Sequence, residues 1–86
     1  MEWDLRKARE NEKKHGIQFS DLEQVFYDPR AITTEDYSSE GEQRFLTLGI
    51  DGFDRVLVVA YTIRDGNVRI ISARKASPGE VKTYEE

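Results

Sequence analysis

The chain has 86 residues, with 13 basic and 17 acidic side chains, a formal net charge of −4 and no cysteine. These figures exclude a disulfide scaffold and a cysteine-based zinc site, argue against a uniformly basic nucleic-acid binder, and fit one domain over residues 1–86 in a reducing cytoplasm. No apolar run approaches the roughly 20 residues of a membrane helix, and the N-terminus lacks a signal-peptide pattern, so no membrane contact is expected.

Met1 to Trp3 reads as a possible edge strand. Asp4 is a good N-cap for a helix from Leu5 to His15, which Gly16 stops as the residue after the last turn. Leu5 and Ala8 are its only clear apolar residues, so its buried stripe is thin. Ser20 and Glu23 have capping-box spacing and predict a second helix with Leu22, Val25 and Phe26 on its apolar face, ended by Asp28-Pro29. Arg30 to Thr34 is a further edge-strand candidate, and the acidic "TTEDYSSEGEQ" that overlaps its end reads as a loop.

The hydrophobic period then changes. Arg44 to Ile50 alternates, Arg55 to Ile63 is almost continuously apolar, and Val68 to Ala73 is apolar again, with hairpin chemistry in "IDGFDR" and "RDGNVR" between them. Ser77-Pro78-Gly79-Glu80 is an N-cap, a proline at the first helical position and a glutamate at the third, opening a short helix through Tyr84. The expected fold class is α+β: two N-terminal helices on a small antiparallel sheet of three to four strands, with a short C-terminal helix.

Charge is distributed unevenly. Residues 1–43 hold six basic and eleven acidic side chains, whereas residues 44–76 hold six basic against three acidic. The sheet region can therefore carry a local anion site despite the global sign. With a two- or four-residue turn at Asp65-Gly66-Asn67, Arg64 and Arg69 share a sheet face and Arg74 falls on the other, while a three-residue bulged loop exchanges this parity. Arg74 stands at the exit of its strand beside the Ser77 cap and is the better phosphate candidate. Arg69 reads as a surface or partner contact.

On the first helix, Lys7, Asn11, Lys14 and His15 are spaced by three and four and share one stripe. Together with the arginines they suit cleavage of a phosphodiester. His15 is the only side chain that ordinarily titrates near neutral pH. Arg64, Arg69 and Arg74 offer fork-shaped phosphate clamps and Lys14 a point charge. A lone histidine without a second ligand-like neighbour makes zinc an unattractive reading, and no cofactor is called for. The competing reading is structural: His15 as a helix-end residue, the lysines as a solvated face, the arginines paired with carboxylates, Tyr84 packed on the sheet and Glu80 explained by its capping box.

"EWDLRKARENEKKHGIQFSDLEQVFYDP", "EQRFLTLGI" and "RIISARKAS....YEE" together resemble the BrnT toxins of type II toxin–antitoxin systems over nearly the whole chain. The resemblance implies a RelE-like fold and a metal-independent ribonuclease that arrests translation. It also implies a BrnA-type antitoxin with a ribbon-helix-helix part, through which the complex reaches its own promoter DNA. The family pattern falls on Trp3, Asp4, Gly16 and Phe19 as structural residues. It also falls on Lys7, Asn11, Lys14, His15, Arg44, Arg64, Arg74, Glu80 and Tyr84 as the candidate site. His15, Arg64, Arg74 and Lys14 are the expected catalytic set; Lys7, Asn11, Arg44, Tyr84 and Glu80 are expected substrate contacts. The last helix departs from the pattern, with Lys82 as its single cation. A binding module that has lost catalysis and retains only its antitoxin is the alternative function.

Overall fold

The computed structural model describes residues 1–86. Strand β1 (Glu2–Trp3) leads into α1 (Leu5–His15), a 3-10 turn (Phe19–Asp21) and a short α2 (Glu23–Tyr27). Strands β2 (Ile32–Asp36), β3 (Arg44–Ile50), β4 (Val56–Arg64) and β5 (Asn67–Lys75) follow, and α3 (Pro78–Glu85) ends the chain. The five strands form one sheet in the order β1-β5-β4-β3-β2.

This corrects the expected architecture in two ways. The sheet has five strands and is mixed, because β1 pairs with β5 in parallel through Glu2 opposite Arg69 and Trp3 opposite Ile70. The N-terminal part is not a pair of full helices on the sheet but a strand, one eleven-residue helix, a 3-10 turn and a five-residue helix. The capping box expected at Ser20 does not form: Leu22 caps α2 without a side-chain bond, and the Ser20 hydroxyl reaches Gln18 Oε1 at 3.4 Å instead. Burial decides this local contest. Phe19 and Leu22 both enter the core, and the tight turn that lets them do so places Ser20 inside the turn, exposed.

Alternation along the strands separates two faces. One face carries Leu57, Val59, Tyr61, Ile70 and Ala73 and meets Ile17, Phe19, Leu22 and Val25 in a continuous core. Aromatic edges close it: Trp3 meets Phe19 edge-on at 6.2 Å, and Phe26 meets Tyr61 edge-on at 5.0 Å. The opposite face holds Val58, Ala60 and Thr62 on β4 with Leu46 and Leu48 on β3, partly covered by Glu80 and Thr83 of α3.

Two backbone features set which side chains share that second face. The β4–β5 turn is a two-residue one, with Asp65 at φ 53° and Gly66 at φ 80°, the mirror-type turn that matches strand twist. Arg64 and Arg69 accordingly share a face. Farther on, Tyr61 pairs with Ile70 but Ala60 with Ser72, so Ile71 is an extra residue in β5. That bulge resets the alternation and brings Ser72 and Arg74 onto the face of Ala60, Thr62, Arg64 and Arg69. The expectation that Arg69 and Arg74 lie on opposite faces is thereby corrected, by the strand itself and not by the turn.

Candidate active site

Helix α1 starts where the Asp4 carboxylate accepts the Lys7 backbone N–H at 3.1 Å, and ends at Gly16, whose φ of 71° is a left-handed conformation glycine takes without strain. Its register against β5 is set by one residue. Asn11 is buried, receives the Ala73 N–H on Oδ1 at 3.0 Å, and donates from Nδ2 to the carbonyls of Ala73 at 2.9 Å and Ile17 at 3.2 Å. Its amide thus imitates the edge of a neighbouring strand, closing β5 beyond the point where two-residue β1 gives out. A side chain with both ends so engaged positions α1 and has little left for a substrate.

With α1 fixed, its polar stripe and the bulged part of β5 enclose a shallow groove of about 190 Å³, lined by Lys7, Glu10, Asn11, Lys14, His15, Ile71 and Ser72. Lys7 and Lys14 are exposed and form no ion pair, and His15 is half-buried at the C-terminal end of the helix. The groove is thus a cleft holding the sole histidine, two ammonium groups without an ion pair, a hydroxyl and the Glu10 carboxylate. Ser72 and the bulged Ile71 were not anticipated as site residues. The only signal for Ser72 is a hydroxyl interrupting the apolar "IISA", and nothing in the composition announces the bulge that turns Ser72 and Arg74 toward Arg69's face.

The arginines are placed differently. Arg64 is forked onto Glu42, with Nη2 at 3.1 Å from both carboxylate oxygens and Nε at 3.3 Å. Arg69 stands 3.6 Å from Glu2, its partner across the parallel pair. Arg44 lies opposite Asp36, whose carboxyl it helps lower after the larger effect of the Ser38 hydrogen bonds. Arg74 donates from Nη1 to Glu80 Oε1 at 2.7 Å and from Nη2 to Glu80 Oε2 at 3.0 Å. Glu80 also completes its capping box, accepting the Ser77 N–H at 2.8 Å while Ser77 Oγ accepts the Glu80 N–H. The Arg74 fork, assisted by that N–H, holds the Glu80 carboxyl at about 2, so it is an ionised acceptor and not a stored proton.

Tyr84 is buried, and its hydroxyl donates to Asp28 Oδ2 at 2.6 Å. Burial pushes the Asp28 carboxyl up, but bonds from Tyr84 and from the N–H groups of Ile50 and Arg30 outweigh it and leave the carboxyl below its usual value. The tyrosine is raised in turn by donating to a carboxylate. This clasp ties α3 to the end of α2 and to β3, one helical turn beyond the Arg74–Glu80 pair. Of the nine expected site residues, the structure gathers Lys7, Asn11, Lys14 and His15 in the groove, pairs Arg74 with Glu80 at the end of β5 outside the groove's lining, and places Arg44, Arg64 and Tyr84 elsewhere. No three His, Cys, Asp or Glu side chains are grouped as a metal-holding set.

Comparison with known proteins gives this arrangement its context. Residues 3–80 match the family model described as the ribonuclease toxin BrnT of a type II toxin–antitoxin system. In three dimensions the chain is similar to the ribonuclease toxin BrnT of Brucella abortus, known from a crystal structure at 1.1 Å. The TM-score is 0.71 at 24% sequence identity, over 90% of this chain and 95% of that one, a likeness that shows the shared fold. No curated protein matches the chain. With nearly its whole length inside the family model and its fold shared with a member, the chain belongs to the BrnT toxins of type II toxin–antitoxin systems.

Proposed function

We propose that the chain is an endoribonuclease toxin that cleaves RNA without a metal, in the groove between α1 and β5. The observation that carries the reading is the meeting of His15 with the unpaired Lys7 and Lys14 in one cleft beside Ser72. Cleavage through the RNA's own 2′-hydroxyl needs a proton acceptor, a cation for the charge that builds on phosphorus and a proton donor for the leaving oxygen. His15 is the candidate proton acceptor or donor; Lys14 and Lys7 place the backbone and meet its charge. With a single histidine, the second proton passes through water or a neighbouring side chain. Arg64 and Arg74 serve as phosphate binders by exchanging their carboxylates for the substrate.

The partner in this reading is a BrnA-type antitoxin with a ribbon-helix-helix part, which neutralises the toxin and carries the complex to promoter DNA. An acidic chain makes little direct contact with DNA by itself, so the antitoxin supplies that contact. Expression of the chain alone is expected to arrest growth and to deplete intact messenger RNA. His15→Ala should relieve both while the protein stays folded. Unimpeded growth with abundant folded wild-type protein overturns the reading.

One observation favours a second reading, a toxin that retains only antitoxin binding: the forks of Arg64 and Arg74 are already filled by Glu42 and Glu80. It predicts a complex with the antitoxin that is unaffected by His15→Ala, and no RNA cleavage by the free chain.

A further inference from the structure

Ser72 lines the groove, so β5 forms its rim, and Arg74 lies on the same face of that strand two residues farther along. Asn11 holds the intervening Ala73 against α1 through both its N–H and its carbonyl, which fixes the spacing between this rim and the α1 stripe. Planar, bidentate presentation to an oxyanion is what a guanidinium offers a phosphodiester. Here that presentation is already taken: both terminal nitrogens of Arg74 donate to Glu80, at 2.7 and 3.0 Å. Glu80 is also held from behind by the Ser77 N–H, so its carboxylate stays in place while Arg74 lies on a flexible stem.

We propose that Glu80 is an internal competitor for the RNA: its carboxylate occupies the place on Arg74 that a backbone phosphate takes, and RNA binds by displacing it. The inference rests on the reading that Arg74 meets RNA. The side chains of Arg74 and Glu80 are 45% and 34% exposed, so an incoming phosphate can reach the pair, and the pair is weak enough to be exchanged. Protonation does not open it, because Glu80 remains ionised at any pH at which the toxin works. Another anion is required. The arrangement holds the free toxin below its full RNA affinity, and the absence of other cations than Lys82 on α3 leaves Arg74 without a substitute there.

The experiment measures binding of a short single-stranded RNA oligonucleotide to the full chain by fluorescence anisotropy, in the His15→Ala background so that the RNA stays whole. Glu80→Gln keeps a carbonyl oxygen for the Ser77 N–H and removes the charge. It is expected to lower Kd about three- to fivefold, the scale of releasing an exposed ion pair. Glu85→Gln makes the same charge change on the same helix away from Arg74 and should give less than a twofold change. In an Arg74→Ala background the surplus of Glu80→Gln over Glu85→Gln should vanish. Equal effects of Glu80→Gln and Glu85→Gln, or weaker binding by folded Glu80→Gln, overturn the proposal. Should Glu80→Gln unfold α3, inorganic phosphate titrated into the unsubstituted chain provides the second measurement. The Arg74 Nε–H resonance is expected to move with saturation, and an unmoved resonance overturns the proposal. If Arg74→Ala leaves RNA affinity unchanged while the groove variant Lys14→Ala weakens it, Arg74 does not meet RNA, and the inference falls without the groove reading falling.

Discussion

The cations of this chain fall into two populations. On α1, Lys7 and Lys14 stand free beside His15; on the sheet, Arg64, Arg69 and Arg74 each have a carboxylate within 4 Å, and Arg44 faces Asp36 across the β2–β3 pair. The difference teaches that counting cations is a poor guide to where an anion binds. The arginine-rich sheet region has the local positive excess, yet its guanidinium groups are largely neutralised by acids contributed from β1, β2, the loop before β3 and α3. In the acidic N-terminal half, Lys7 and Lys14 stand without an ion pair on one stripe of a helix, beside Glu10. In the proposed function, an RNA backbone approaching the groove would meet ammonium groups without an ion pair, whereas on the arginine face it would first have to displace a carboxylate.

The comparison depends on α1 being locked to β5, and breaking that lock should give the largest effect. Asn11→Ala removes three buried hydrogen bonds and strands the N–H and carbonyl of Ala73. We expect a loss of about 3 kcal/mol, read as a lowered midpoint in urea unfolding. A loss below about 1 kcal/mol would mean that α1 is held by its thin apolar stripe and that the groove is not a rigid one.

Next in size is the contrast between the two populations themselves. Lys14→Ala should weaken binding of single-stranded RNA severalfold and flatten the dependence of log K on log salt by about 0.7, the share of one phosphate contact. Arg64→Ala should weaken affinity less than Lys14→Ala does, because Arg64 meets a phosphate only after giving up Glu42. Equal salt slopes for the two variants would erase the distinction.

The smallest effect concerns Glu80. Its carboxyl is depressed from 4.5 to about 2, so its contribution to stability is complete above pH 4.5 and is lost as the pH falls from there toward 2. Thermal melts across that window should show a gentler acid decline for Arg74→Ala than for the unsubstituted chain, since the arginine is the main cause of the depression. Parallel declines would show that the fork adds nothing to the folded state.

Much of this was legible in the sequence for physical reasons that can be named. Strand β3 and the helices α1 and α3 follow from period and caps: Asp4, Gly16 and the Ser77–Glu80 box all act as their residue types require. The stripe from Lys7 to His15 follows from helical spacing alone. The parallel pairing of β1 was not legible, because two residues carry no period and parallel partners are distant in sequence. Nor was the bulge at Ile71, since an apolar run hides an extra residue, and that residue decides which arginines share a face. Ser20 shows the opposite failure: a correct local signal overridden by the burial of Phe19 and Leu22. Asn11 was placed on the right stripe and read for its polarity, but its amide is consumed in closing a strand edge, a role that only the tertiary contact reveals.

The central claim is that the α1–β5 groove, and His15 within it, cleaves RNA. The most direct measurement is the single-turnover cleavage rate of an RNA oligonucleotide by the purified chain in the presence of a chelator, with and without His15→Ala. Cleavage by the unsubstituted chain is expected, and a fall of at least about a hundredfold for His15→Ala, with its fold intact by circular dichroism. Cleavage at an unchanged rate by folded His15→Ala, or none by the unsubstituted chain until metal is restored, would contradict that claim.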